Sequence, residues 1–495
     1  MISRMSNRHQ TNTELLARSL AAVWHPCSQM KHYETFPLVP IMRGNGIWLY
    51  DCEGKRYLDA ISSWWVNLFG HCNPRINAAL RDQLESLEHV MLAGFTHEPV
   101  VQLSERLSAL APEGLGHCFY ASDGASAIEI ALKMSAHYWR NSGKQDKTQF
   151  ISLENSYHGE TLGALSVTDV ALFRDAYSSL IRQQATVPSP DWRKAAAGES
   201  AEAYALRCAD ALEQHLQQHH AQLAAFIIEP LVQCAAGMAM YHPIYLRRAR
   251  QLCDEYAVHL IADEIAVGMG RTGTMFACEQ APITPSPNPP LRTAPSPDET
   301  TDRTTSHLAK PSKDDSQVAG YDKGRAGERL GITPDFLCLS KGITGGYLPL
   351  SAVMTCDKIY QAFYGDEMKS GFLHSHSYTG NPLACRAALA ALDIFAQDNV
   401  LAVNRNKAAY LNETATPLRE HHAIRNWRNT GMIWAFEVET PHADFSQRSF
   451  ALALGNELLL RPIGKTIYFM PPYIISESEM DLLASRTLRI VNQLS

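Results

Sequence analysis

Two residues that close apolar runs carry the most chemistry in this chain. In "FLCLSKGITGG" the run Phe336-Leu337-Cys338-Leu339 reads as a buried strand, and Lys341 follows it into a glycine-containing turn. An amine near low-dielectric walls loses its proton more readily than one in water, and a neutral amine forms Schiff bases with carbonyls. Asp263 stands in the same relation to "LIADEI", a carboxylate at the end of a second apolar run, where an unpaired charge is costly. A structural ion pair would satisfy it. So would the protonated ring nitrogen of a pyridoxal cofactor, a pairing that makes the ring an electron sink. The plain alternative for Lys341 is an ordinary lysine at a strand end.

Other segments supply what such a group needs. "SDGAS" enters a helix, so the backbone N–H groups of Gly124 and Ala125 face an incoming phosphate. "NSYHGET" places Tyr157 on a loop, suited to cover an aromatic ring. Arg461, in "LLRPIG", suits a bidentate grip on a carboxylate; a surface ion pair is its bland alternative. Trp64 and Trp65 offer broad apolar surface for an alkyl chain, but strand alternation would send adjacent side chains to opposite faces, leaving one of them as core.

The elements that must position these residues alternate. "CFYASDGASAIEIALKMSAHYWR" reads strand, turn, helix, with Ala127, Ala131, Met134 and Tyr138 on one helical face. "AAFIIEP" and "VHLIADEI" are continuous apolar runs, as in strands buried on both sides, with the helical "PIYLRRARQLCDEYA" between them. This pattern predicts an α/β fold, a mostly parallel sheet covered by helices. "KTIYFMPPYII" reads as a further strand, and Ser476 with Glu479 as a capping box opening a last helix. At 495 residues the chain is long for one core, so two domains are expected.

Composition narrows the class. With 45% hydrophobic and 19% charged residues and a net charge of −7, the balance is globular, with no basic face for nucleic acid. No apolar run approaches membrane-spanning length, and the first twenty residues lack the apolar region of a secretory signal. The 11 cysteines contain no C-x-x-C pair, pointing to reduced thiols in a cytoplasmic enzyme. "GMGRTG" at 268–273 fits a dinucleotide glycine motif only superficially: it does not open a βαβ unit, and the acidic residue wanted some twenty positions on would fall in a segment of different character. The histidines at 215, 219, 220, 374 and 376 lack partners at metal-ligand spacing, so no metal site is expected. Residues 282–330, rich in Pro, Ser and Thr, read as a disordered insertion.

Together, "SDGASAIEIALKMS", "SYHGET", "IIEPLVQ", "IADEIAVGMGRTG" and "LSKGITGG" resemble the class III pyridoxal-phosphate aminotransferases, over nearly the whole chain outside the insertion. Joining Ala281 to Gly331 gives "FACEQAGITPDFLCLSKG", which reads as uninterrupted family sequence. The resemblance implies a fold-type-I transferase with a large cofactor domain over 62–397 and a smaller α+β domain built from both chain ends, 1–61 and 398–495. It implies pyridoxal 5′-phosphate bonded to Lys341, with Asp263 on the ring nitrogen, Gly124 and Ala125 on the phosphate, and Tyr157 over the ring and touching substrate. His376 and Ser377 would reach that phosphate from the second subunit of a homodimer with shared active sites.

"WHPCSQM", "ISSWWVNLFGHCNP", "GFTHEP", "HSHSYTGNPLAC" and "LLRPIGKTIYFMPPYII" resemble one subfamily more closely. Its members transfer an amino group from S-adenosylmethionine to 8-amino-7-oxononanoate in biotin biosynthesis. That resemblance implies Trp64, Ser375 and Arg461 facing the oxo-acid and Cys27 near the donor, where relatives can carry a tyrosine able to stack on adenine. An ω-aminotransferase using other amines and a non-catalytic cofactor-binding scaffold are the alternatives.

Overall fold

The structure, a computed structural model, describes residues 11–281 and 331–495. Its centre is a seven-stranded sheet made of β1 (His117–Ala121), β2 (Gln149–Leu153), β3 (Ala185–Val187), β4 (Leu223–Ile228), β5 (His259–Asp263), β6 (Phe336–Leu339) and β7 (Ser351–Thr355), in the order β1-β7-β6-β5-β4-β2-β3. Only β7 runs against its neighbours. Strands β4, β5 and β6 are buried along their whole length, which is why their sequences are continuous apolar runs rather than alternating ones.

Helices cover the sheet as the periodicity predicts. In α1 (Gly124–Asn141), Ala127, Ala131, Met134 and Tyr138 are all buried, together with Ile128 and Ile130. They pack on Ile227, Ile261 and Val353 of the sheet. Each fully buried isoleucine contributes about 1.5–3 kcal/mol of hydrophobic stabilisation. Two further helices, α2 (Ala201–His219) and α3 (Ile244–Glu255), pack against each other. The last helix, Glu477–Leu494, opens on the capping box of Ser476 and Glu479 that the sequence announces.

The two chain ends meet in a second sheet. Ile41–Asn45, Trp48–Asp51 and Arg56–Asp59 form an antiparallel meander, and Leu458–Leu459 adds to the last of these in parallel, with Leu459 opposite Asp59. A three-stranded antiparallel sheet of Ile424–Thr430, Ile433–Val438 and Thr466–Phe469 completes the C-terminal part. Among the described residues no helix is long and apolar enough to cross a membrane.

The segment expected to be a disordered insertion, 282–330, lies outside the described residues. Its two flanks lie side by side. The Ile332 N–H donates to the Cys278 carbonyl at 3.2 Å, and Gly331, at φ +124°, passes so close that a Cβ there would come within 2.6 Å of Glu279 Cα. Ends already held together leave only loop-closure entropy to change when the intervening chain is shortened. Excising 282–330 and joining Ala281 to Gly331 is therefore expected to preserve one cooperative thermal transition with its midpoint undiminished, as read by circular dichroism. A broad or strongly lowered transition would contradict this.

Candidate active site

The parallel strands end at one edge of the sheet, the usual place for a ligand in an open α/β sheet. Asp263 is the last residue of β5, Glu229 follows β4 by one position, Lys341 follows β6 by two, and Gly124 opens α1 just after β1. These four, with Tyr157, His158, Glu160 and Trp65, line one cavity of about 580 Å³. Strand ends thus gather the first four, and loops held against them bring the rest.

Charge inside this cavity is tightly arranged. The buried Asp263 carboxylate accepts from the Ile265 N–H at 3.1 Å through Oδ1 and from His158 Nδ1–H at 2.7 Å through Oδ2. Desolvation lowers the pKa of Lys341, opposed by the charges of Asp263, Cys234 and Glu229. Lys341 itself sits at φ +46°, a conformation that non-glycine residues adopt at a cost and that recurs at functional sites. Glu229 accepts one backbone N–H on each oxygen, from Tyr157 at 3.2 Å and Cys234 at 3.1 Å, so it anchors the Tyr157 loop. Burial, and next the Asp263 charge, raise its pKa to about 8. Tyr157 packs edge-on against Phe173 and donates to Glu160 at 2.9 Å; burial and then the Glu160 charge raise its phenol. The loop fits because Gly159, at φ +126°, carries no Cβ, which would lie 2.6 Å from that of Ala125.

The double tryptophan departs from the strand expected of it. Ser62, Ser63, Trp64 and Trp65 have φ of 51°, 46°, 72° and 73°, a single left-handed helical turn without a glycine. Such residues cost about 1–2 kcal/mol each, and a run of four persists only if its surroundings hold it. Ser62 Oγ donates to the Met470 carbonyl at 2.7 Å, Trp65 Nε1 to Tyr468 Oη at 3.2 Å, and Arg271 Nη2 to the carbonyls of Trp65 and Asn67. Arg271, 1% exposed, belongs to the "GMGRTG" motif, so those glycines serve a loop that clamps this turn.

The turn gives both tryptophans a use. Trp65 is buried, and its ring lies 5.3 Å from Lys341 Nζ. Trp64, 39% exposed, lines a second cavity of about 480 Å³ with Cys27, Tyr33, Phe36, Phe450, Leu459 and Arg461. The Arg461 guanidinium stacks 4.3 Å from the centre of the Trp64 ring and forms no ion pair among the described residues. Burial, and next the Glu160 charge, raise the Cys27 thiol.

A known family, described as aminotransferase class-III, matches residues 29–286 and 322–491. The chain belongs to the class-III aminotransferases. An adenosylmethionine-8-amino-7-oxononanoate aminotransferase of Helicobacter pylori is 42% identical to this aminotransferase over 97% of its length and 98% of the relative's. A crystal structure of the enzyme so named from Methanocaldococcus jannaschii matches with a TM-score of 0.82 at 31% identity, covering 98% of this chain and 100% of that one. An omega transaminase from Pseudomonas jessenii, crystallised in complex with PMP, also reaches 0.82, at 25% identity and with coverages of 96% and 97%. Fold type I, with its central, mostly parallel sheet, is shared with these solved structures.

Pyridoxal 5′-phosphate is the cofactor of this family, and the cavity residues of this aminotransferase fit it. Asp263 presents a buried carboxylate to a cationic nitrogen, and Lys341 presents an amine of lowered pKa in the same cavity. The first turn of α1 offers N–H donors that helical geometry leaves unpaired. Gly124 keeps that turn open, since a Cβ there would lie 3.0 Å from Ile265 Cγ2. Among the described residues no group of three or more His, Cys, Asp or Glu is placed to hold a metal ion.

Of the residues singled out from sequence, Lys341, Asp263, Tyr157, Gly124 and Ala125 line the inner cavity, and Cys27, Trp64 and Arg461 the outer one. Ser375, His376 and Ser377 line neither, and the His376 N–H donates to Thr379 Oγ1 within its own loop. His158, Glu160 and Glu229 were not singled out. Glu229 left a signal, a carboxylate closing the run "AAFII" just as Asp263 closes "HLIA".

Glu229 makes the stability of the cofactor-free protein pH-dependent. Its folded pKa, about 8, lies above the ordinary glutamate value of about 4.3. Between those limits the folded state keeps a proton that the unfolded state has lost, so this contribution is full below about pH 4 and declines as pH rises through about 8. Relative to Glu229→Gln, the wild type should lose stability in urea titrations as pH rises from about 5 to about 8. Parallel curves would reject the assignment.

Proposed function

We propose that this aminotransferase transfers an amino group from S-adenosylmethionine to 8-amino-7-oxononanoate, giving 7,8-diaminononanoate. The observation that carries this reading is Arg461, stacked on Trp64 without a carboxylate partner among the described residues, in an aromatic-lined cavity beside the lysine cavity. That arrangement suits a long alkyl chain ending in a carboxylate. The 42% identical relative bears the name of this reaction.

When bound, pyridoxal 5′-phosphate supplies an electron sink for the carbon that loses its proton. The chain supplies the rest. The N–H groups of Gly124 and Ala125 would hold the phosphate, and Asp263, aligned by His158, would keep the ring nitrogen protonated. Lys341, its amine made less basic by desolvation, would hold the cofactor's aldehyde carbon and would move the proton at the substrate carbon. Tyr157 would cover the ring. One lysine serves both half-reactions, so donor and acceptor alternate in a ping-pong cycle.

Ser375, His376 and Ser377 act on the partner's cavity in a homodimer. Ser375 and Ser377 are exposed and His376 half-buried, all outside the cavities of their own chain, which supports this, as do the neighbouring exposed apolar side chains Tyr364, Met368, Leu373 and Tyr378. Cys27 favours a second reading of the donor: a thiol at the outer cavity cannot stack on adenine, so another amine is the alternative source of nitrogen.

Adding S-adenosylmethionine to the yellow holoenzyme should convert the bound cofactor to its amine form, seen by absorbance. Conversion only by other amines would establish the second reading. Lys341→Ala should keep bound cofactor yet lose turnover by at least about 10²–10⁴-fold; appreciable transamination by that variant would overturn the role of the lysine.

A further inference from the structure

We propose that Asp59 is a positioning residue for the acceptor, acting through Trp64; this rests on the acceptor reading above. Asp59 is fully buried at the end of the strand Arg56–Asp59. Its carboxylate gathers three donors: Ser63 N–H at 2.9 Å on Oδ1, and Ser63 Oγ–H at 2.7 Å and His71 Nε2–H at 3.0 Å on Oδ2. Two of the three come from one residue of the left-handed turn, the one directly before Trp64. His71 is fixed in its own right. Its Nδ1 faces Asn67 Nδ2 at 3.2 Å, its backbone pairs with Gly46, and Gly44 leaves room where a Cβ would lie 2.5 Å from that of His71.

The same strand end also sets the other half of the stacked pair. Leu459 pairs with Asp59 in register, and Arg461 lies two residues beyond it. From this one point the chain reaches Trp64 through the turn and Arg461 through the neighbouring strand. Trp65 is held separately, through Tyr468 and Arg271. Loss of the Asp59 contacts therefore frees Ser63 and Trp64 to leave the left-handed region, while the wall beside Lys341 stays in place.

Two substitutions separate this from plain structural support. Asp59→Asn should raise KM for 8-amino-7-oxononanoate by about tenfold, with kcat and the cofactor spectrum changed by less than about threefold. Adding Ser63→Gly should bring KM back to within about threefold of wild type, because glycine occupies φ near +46° without penalty. The near-ultraviolet circular dichroism contributed by Trp64, taken as the difference from the matching Trp64→Phe protein, should change in the single variant and return in the double one. If Asp59→Asn fails to fold, Ser63→Ala deletes one contact and keeps the His71 pair; it too should raise KM and shift the Trp64 signal.

An unchanged KM and Trp64 signal, or a double variant no better than the single one, overturns the proposal. A wild type that does not turn over the oxo-acid overturns the acceptor reading instead. The dichroism comparison then still decides whether Asp59 holds Trp64.

Discussion

Lys341, Asp263 and Glu229 share one cavity, and making charge tolerable at its buried floor shapes everything around it. A lone charge in such a place is expensive, and a pair is tolerable only with its remaining hydrogen bonds satisfied. Asp263 meets this with His158 and a backbone N–H, and Glu229 with two backbone N–H groups and a pKa raised by burial. The Lys341 amine instead faces the Trp65 ring, at 5.3 Å. Strand ends supply these positions because there the backbone leaves the sheet and its free N–H groups turn toward the cavity.

The outer cavity follows a different logic. Its charge, Arg461, stays exposed and rests on an aromatic face rather than a carboxylate. Such a cation keeps its capacity for an arriving anion, at little cost in desolvation. The inner cavity selects for chemistry and the outer one for shape and charge, and the tryptophan turn stands between them.

How much of this was legible follows from the range of each signal. Asp263 and Lys341 were legible because each stands at the end of a continuous apolar run, the local pattern of a strand buried on both faces. The face of α1 and the capping box at Ser476 were legible for the same reason, since both are set by residues within a few positions of each other. The tryptophan turn was not. Four left-handed residues without a glycine contradict local preference, and although Asp59 is a near neighbour, the other groups that hold them, on Arg271, Tyr468 and Met470, are far away in sequence. Glu229 shows the intermediate case: its sequence position matches that of Asp263, but only the backbone path of the Tyr157 loop reveals what it holds.

The close approach of Cys278 and Ile332 has a consequence for how the molecule can be rebuilt. A point where the backbone departs and returns through adjacent positions is a natural doorway for new termini or for a guest domain. A circularly permuted chain opened there, or a fluorescent reporter tethered there, would leave the catalytic edge of the sheet untouched.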